Sequence, residues 1–209
     1  MRFLVGATVA LLTLTLVVHP LLGGGVLWDL GNAIGLLALA GVLTLFAPGQ
    51  FPRTPRRHQQ LANAVLLMLL AHALWFPLTD AASHVYLLPG APTYMWLGVA
   101  GFVVLLVAWQ LSLPGSRQRW HASPASFRRW HRRLGMLAII LAAGHITLSG
   151  FYLGSPWQAA VFMVLVIAAP LLARSITPRL TDSGAPTVTQ TVSVWLLACV
   201  AFVALRNLA

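Results

Sequence analysis

The sequence predicts an all-α, polytopic membrane helical bundle, with a six-helix core and a seventh helix after it. Three observations predict this class. Of 209 residues, 59% are hydrophobic and 8% are charged, against about 25% charged in an ordinary soluble domain. Apolar runs near 20 residues recur along the whole chain, each about long enough to cross a 30 Å hydrocarbon core. The arginines, finally, are confined to alternate connections between those runs. The mean hydropathy is +0.84, and a soluble bundle would need a polar face on each helix that this chain does not have.

The first apolar segment runs from Phe3 to Leu22, behind Arg2. It resembles a signal peptide, but Val18-His19-Pro20 leads only to Gly23-Gly24-Gly25, with no small-x-small cleavage site. Residues 1–26 are therefore expected to form an uncleaved first helix. The second segment covers Leu27 to Ala47 and stops at Pro48-Gly49. The third covers His58 to Leu78, the fourth Thr93 to Leu113, the fifth His131 to Leu153 and the sixth Trp157 to Ala173. Residues 27–173 make up the core. Residues 174–209 supply a loop and the seventh segment, Val188 to Leu205.

Thirteen basic residues, all arginine, face three acidic ones, Asp29, Asp80 and Asp182. Net +10 could suggest nucleic acid, yet no stripe of basic and aromatic residues tracks a strand. Eleven of the thirteen arginines fall in three connections: Arg53, Arg56 and Arg57; Arg117, Arg119, Arg128, Arg129, Arg132 and Arg133; and Arg174 with Arg179. The alternate connections, 23–26, 79–92 and 154–156, hold none. The positive-inside rule puts the arginine loops and the N-terminus of this multi-pass protein in the cytoplasm. Trp75, Phe76, Tyr94, Trp96, Tyr152 and Trp157 then mark the external boundary, and Trp120 and Trp130 the internal one. A single cysteine, Cys199, excludes an intrachain disulfide, a cysteine-ligated iron–sulfur cluster and a Cys-x-x-Cys-His haem attachment. No dinucleotide fingerprint or P-loop is present.

The histidines carry the chemistry. His58 and His72 bracket the third segment, and His131 and His145 the fifth, both at a separation of 14. Fourteen residues make about four helical turns and about 21 Å of rise, so each pair shares one face at two depths. Both segments run outward in the expected topology. His58 and His131 then share an inner level, and His72 and His145 an outer one. Each level offers two neutral imidazoles, the axial ligand set of a low-spin haem iron, so the pattern points to two b-type haems held without a covalent link. Isolated intramembrane histidines commonly just bond across helices; two pairs at one spacing in co-oriented segments favour ligation. Zinc fits worse, because no three or four ligands lie within one or two turns.

Arg57, Arg132 and Arg133 stand where propionates of an inner haem would emerge, and serve equally well as topology signals. Gly135 and Gly144 flank the histidine face of the fifth segment and either admit a macrocycle or pack helices, the commoner use. His19, His84 and His121 have no partner at matching spacing and are set aside, with His84 in the external loop a contact for an external partner.

Two helices carrying paired histidines, opened by Arg56-Arg57-His58 and by His131-Arg132-Arg133-Leu134-Gly135, resemble the ferric reductase-like transmembrane domain. That family includes ferric reductases, NADPH oxidases and the haem-binding membrane subunit of the bacterial periplasmic methionine sulfoxide reductase system. The resemblance spans about Leu27 to Ala173. It implies six core helices, two stacked haems and outward electron flow, with His58 and His131 on the inner haem and His72 and His145 on the outer. Many members carry a cytoplasmic flavin and nicotinamide domain; this chain carries none. The expected donor is thus a separate flavoprotein or a membrane quinol, with a flavin or quinone bound at the cytoplasmic side and an external protein or small molecule as acceptor. The expected role is an electron-transfer subunit of an oxidoreductase. The alternatives are direct reduction of ferric chelates or oxygen at the external haem edge, and a haem-free transporter or assembly protein. Few polar residues lie within the spans, notably Asn63, Gln110 and Thr147, which argues against a transporter.

Overall fold

A computed structural model describes residues 2–16, 25–46, 55–176 and 187–207. His19, Arg53, Arg179 and Asp182 lie outside them. The described residues form α1 (Arg2–Leu16), α2 (Val26–Phe46), α3 (Pro55–Thr79), α4 (Thr93–Ser112), α5 (Pro114–Trp120), α6 (Pro124–Ser149), α7 (Pro156–Ile176) and α8 (Val188–Asn207), with no strand among them. The protein is an all-α helical bundle. A short 3-10 helix, Ala81–Leu87, sits between α3 and α4, and α5 interrupts the longest arginine-rich connection.

Local chemistry sets the ends of these elements. α6 starts at Ser123, whose hydroxyl accepts the Ser126 N–H at 3.2 Å, with Pro124 in the first turn. It stops at Ser149 and not at Leu153, because Gly150 takes the left-handed conformation, φ 68°. α4 stops before Pro114, which disfavours helix at Leu113. Asp80 caps the 3-10 helix by accepting the Ala82 N–H at 2.9 Å.

Four described helices are long and apolar enough to cross a membrane: Val26–Phe46, Arg56–Thr79, Thr93–Ser112 and Thr189–Asn207. The chain is a helical membrane protein. α6 is 26 residues long but carries four arginines in its first half. α2 is the central helix: 61% of its most apolar window is buried, against 11% for α3 and α4. It packs against α1, α3, α6, α7 and α8, while α4 lies along α6. Leu37, Ala40, Val65, Ile139, Phe162 and Trp195 join five helices in one core. Leu67, Leu70, Leu74, Val99, Val103 and Leu106 stay exposed on α3 and α4, as helices solvated by acyl chains require.

The helices alternate in direction. The start of α2, the end of α3, the start of α4 and the ends of α6 and α8 meet at one end of the bundle. That end is poor in arginine. Arg206 stands there, and its charge is matched by the buried carboxylate of Asp29 at 3.1 Å.

Candidate functional site

α3 and α6 carry the four histidines, yet the two helices do not pack directly on each other; α3 lies on α2, and α6 on α4. Their imidazoles meet across the space between. The His58 and His131 ring centroids are 6.0 Å apart with planes at 60°, and those of His72 and His145 are 6.5 Å apart at 78°. The structure therefore brings the four residues together in two layers, one at each end of the helix pair.

The spacing has chemical content. Metal–imidazole bonds of about 2 Å, with roughly 1.1 Å from each nitrogen to its ring centre, put coaxial rings on one metal about 6.2 Å apart. A direct N–H···N bond of about 2.9 Å would draw the centroids to about 5.1 Å. Both observed spacings match the first figure better. Among the described residues no three or more His, Cys, Asp or Glu side chains gather around one point, and each layer brings two imidazoles together.

The outer pair is held by a device repeated on two helices. His72 Nδ1 lies 2.7 Å from the Gly31 carbonyl of α2, and His145 Nδ1 lies 2.7 Å from the Tyr94 carbonyl of α4. A carbonyl only accepts, so each Nδ1 carries the proton and each Nε2 keeps its lone pair, the form a metal binds. Four residues after each carbonyl stands a glycine. A methyl added at Gly35 would lie 2.8 Å from Cε1 and Nδ1 of His72, and one at Gly98 would lie 2.9 Å from Nδ1 of His145. The residue at i+4 covers the helix carbonyl at i; without a side chain there, the imidazole can reach that oxygen. Aromatic rings close around this end: Phe76 is 5.4 Å from His72, Tyr94 is 6.1 Å from His145, and Trp28 contacts Phe76 and Phe151.

The inner pair is built differently. Phe127 stacks on His131 at 5.2 Å, and His121 meets the Phe127 ring edge-on at 5.4 Å. His121 was set aside on sequence; the structure brings it into the inner cluster, with a buried Nε2 that has no hydrogen-bond partner. His131 Nδ1 is likewise buried and unpartnered. Beside this cluster, Asn63 accepts from Trp109 Nε1 at 2.7 Å and from Gln59 at 3.0 Å, tying α3 to α4.

Arg57 is half-buried at the start of α3, next to His58. Arg132 and Arg133 are exposed, and the Arg133 guanidinium lies over the Trp130 ring at 5.3 Å. Gly135 and Gly144 serve helix packing: a methyl at Gly135 would strike the Phe46 ring, and one at Gly144 would come 3.2 Å from Leu97. His84 lies on the exposed 3-10 helix and donates locally, Nε2 to the Pro77 carbonyl at 2.9 Å.

Sequence reasoning missed Gly35 and Gly98, whose signal was a glycine inside an otherwise apolar helix. It also missed the group around Asp29, where an acidic residue in a span was itself a signal. No protein-family model, curated protein or solved structure matches the chain.

Proposed function

We propose that the protein is a b-type membrane cytochrome that passes electrons across a bacterial inner membrane, from a cytoplasmic flavoprotein or a membrane quinol to an external acceptor. The observation that carries this reading is the pair of imidazole layers, each spaced for one metal. The resemblance of the two histidine helices to the ferric reductase-like domain supports it.

The residues present fit the group. His58 with His131 would hold one haem, and His72 with His145 the other. Bound haem would supply one-electron chemistry. The chain's own residues do the rest. The Gly31 and Tyr94 carbonyls hold the outer Nδ1 protons and so fix tautomer and ring orientation. Gly35 and Gly98 leave the rings room to reach those carbonyls. The apolar walls of α3, α4 and α6 exclude water. Arg57, beside His58, is the arginine best placed to meet a propionate at the inner layer. The arginine-rich connections support an orientation with that layer toward the cytoplasm and the N-terminus on the same side.

The test is the haem-to-protein ratio of purified chain from a haem-sufficient host, with a reduced-minus-oxidised spectrum. Two b haems per chain are expected. His72→Leu or His145→Leu should leave one haem, the same one in both variants. Vesicles holding ferricyanide should be discharged by an external reductant through the parent chain and not through either variant. A parent chain without haem refutes the reading.

A further inference from the structure

The last helix, α8, brings a charged group into the outer end of the bundle. Arg206 and Asn207 close that helix, and both reach Asp29 in the first turn of α2. Arg206 Nε lies 3.1 Å from Asp29 Oδ1, and Asn207 Nδ2 donates to Oδ2 at 2.9 Å. Tyr152, from the connection between α6 and α7, donates to Oδ1 at 3.1 Å. The Arg206 guanidinium also lies over the Tyr152 ring at 4.8 Å and the Phe202 ring at 5.6 Å. Asp29 is completely buried.

The first two turns of α2 present carbonyls to α3. Leu27 O accepts from Trp75 Nε1 at 2.7 Å, and Gly31 O meets His72 Nδ1 at 2.7 Å. Asp29 sits between those two acceptors in sequence, and two turns of helix move as a rigid unit. A buried ion pair is a poor way to gain stability, since an apolar pair of equal volume does as well. Directed bonds to both carboxylate oxygens do fix where those turns sit.

We infer that the Arg206–Asn207 end of α8 is a positioning device for the outer imidazole: it holds the first two turns of α2 so that the Gly31 carbonyl meets His72. This rests on the reading that the outer pair holds a haem. The group assigns a role to a helix outside the expected six-helix core and joins residues 177 positions apart.

The experiment compares the parent with Asp29→Leu, Arg206→Met and the double variant. Either single change strands a buried charge or removes its partners and should lower the melting temperature. The double change removes both charges and should recover most of it. Despite that recovery, the double variant should release its outer haem about ten-fold faster, as loss of a supporting hydrogen bond to a metal ligand typically does. Its outer-site EPR signal should shift while the inner-site signal stays. Should the double variant fail to fold, Asn207→Ala, which removes one bond and keeps the ion pair, should move the outer site in the same direction by less. In the haem-free parent, the His72 ¹⁵Nδ1 resonance should report a hydrogen-bonded N–H that weakens in the variants. An outer-site spectrum and release rate equal to the parent's in a stable double variant, or in Asn207→Ala, would reduce α8 to a staple and overturn the inference. A parent chain that binds no haem overturns the haem reading alone; the ¹⁵N shift then decides whether α8 positions His72.

Discussion

Gly35→Ala and Gly98→Ala ask whether the two helix carbonyls orient the outer imidazoles. The added methyl at Gly35 would stand 2.8 Å from two atoms of the His72 ring, where carbon contacts settle at about 3.5–4.0 Å. The ring must retreat by roughly 0.7–1.2 Å. A retreat along its bond to Gly31, now 2.7 Å, takes that contact past the limit of about 3.2 Å for an N–H···O bond. Overpacking costs about 1–3 kcal/mol and the lost bond about 0.5–1.5 kcal/mol. Relief of glycine's poor helix propensity returns about 1 kcal/mol. The net expectation is a destabilisation of about 0.5–3.5 kcal/mol and an outer-site affinity lower by about 10- to 100-fold. Gly98→Ala, at 2.9 Å from His145 Nδ1, should act on the same site. Gly101→Ala is the control on α4: its methyl meets Leu141 Cβ at an ordinary 3.4 Å. Haem stoichiometry by the pyridine haemochrome and low-spin EPR of each variant give the readout. Two haems with parent spectra in Gly35→Ala and Gly98→Ala, or equal damage in Gly101→Ala, would refute the reasoning.

Four further outcomes are expected. Gly135→Ala, which drives a methyl into the Phe46 ring, should cost about 1–3 kcal/mol in thermal unfolding and leave both haem spectra unchanged. Tyr152→Phe removes a donor from the buried Asp29 carboxylate and should cost about 1.5–3 kcal/mol, the usual worth of a hydrogen bond to a charged group. Asp29→Ala leaves Arg206 without its buried partner and should cost about 3–5 kcal/mol, seen as a large fall in melting temperature. In a Cys199→Ala background, a cysteine at exposed Gly90, where a side chain meets nothing within 4 Å, should react with an impermeant maleimide in intact cells. One at Ser123 should react only after lysis, and the reverse pattern would invert the topology.

Much of the architecture was legible because it rests on local chemistry. The end of α4 falls within a residue of the expected Leu113, before Pro114, whereas α6 starts at Pro124, seven residues before the expected His131, because Ser123 caps it ahead of the apolar run. The alternation of arginine-rich and arginine-free connections foretold the alternating helix directions. The end of α6 was read four residues too far, since Phe151 to Leu153 continue the apolar run after Gly150 has already turned the chain. The 14-residue spacing placed each histidine pair on one helix face. It could not show which helix would stand opposite. α4 and α8 are apolar all round, so their residue pattern names no inward face.

By itself, then, the sequence determined the helical membrane class and the spacing that puts each histidine pair on one helix face, because hydropathy and helical period act within about one span of chain. The tertiary structure alone decided that α3 and α6 face each other through their imidazoles, that carbonyls 41 and 51 residues away receive them, and that Arg206 crosses to Asp29. Those contacts join helices in space, and no periodicity within one helix encodes the partner across the gap.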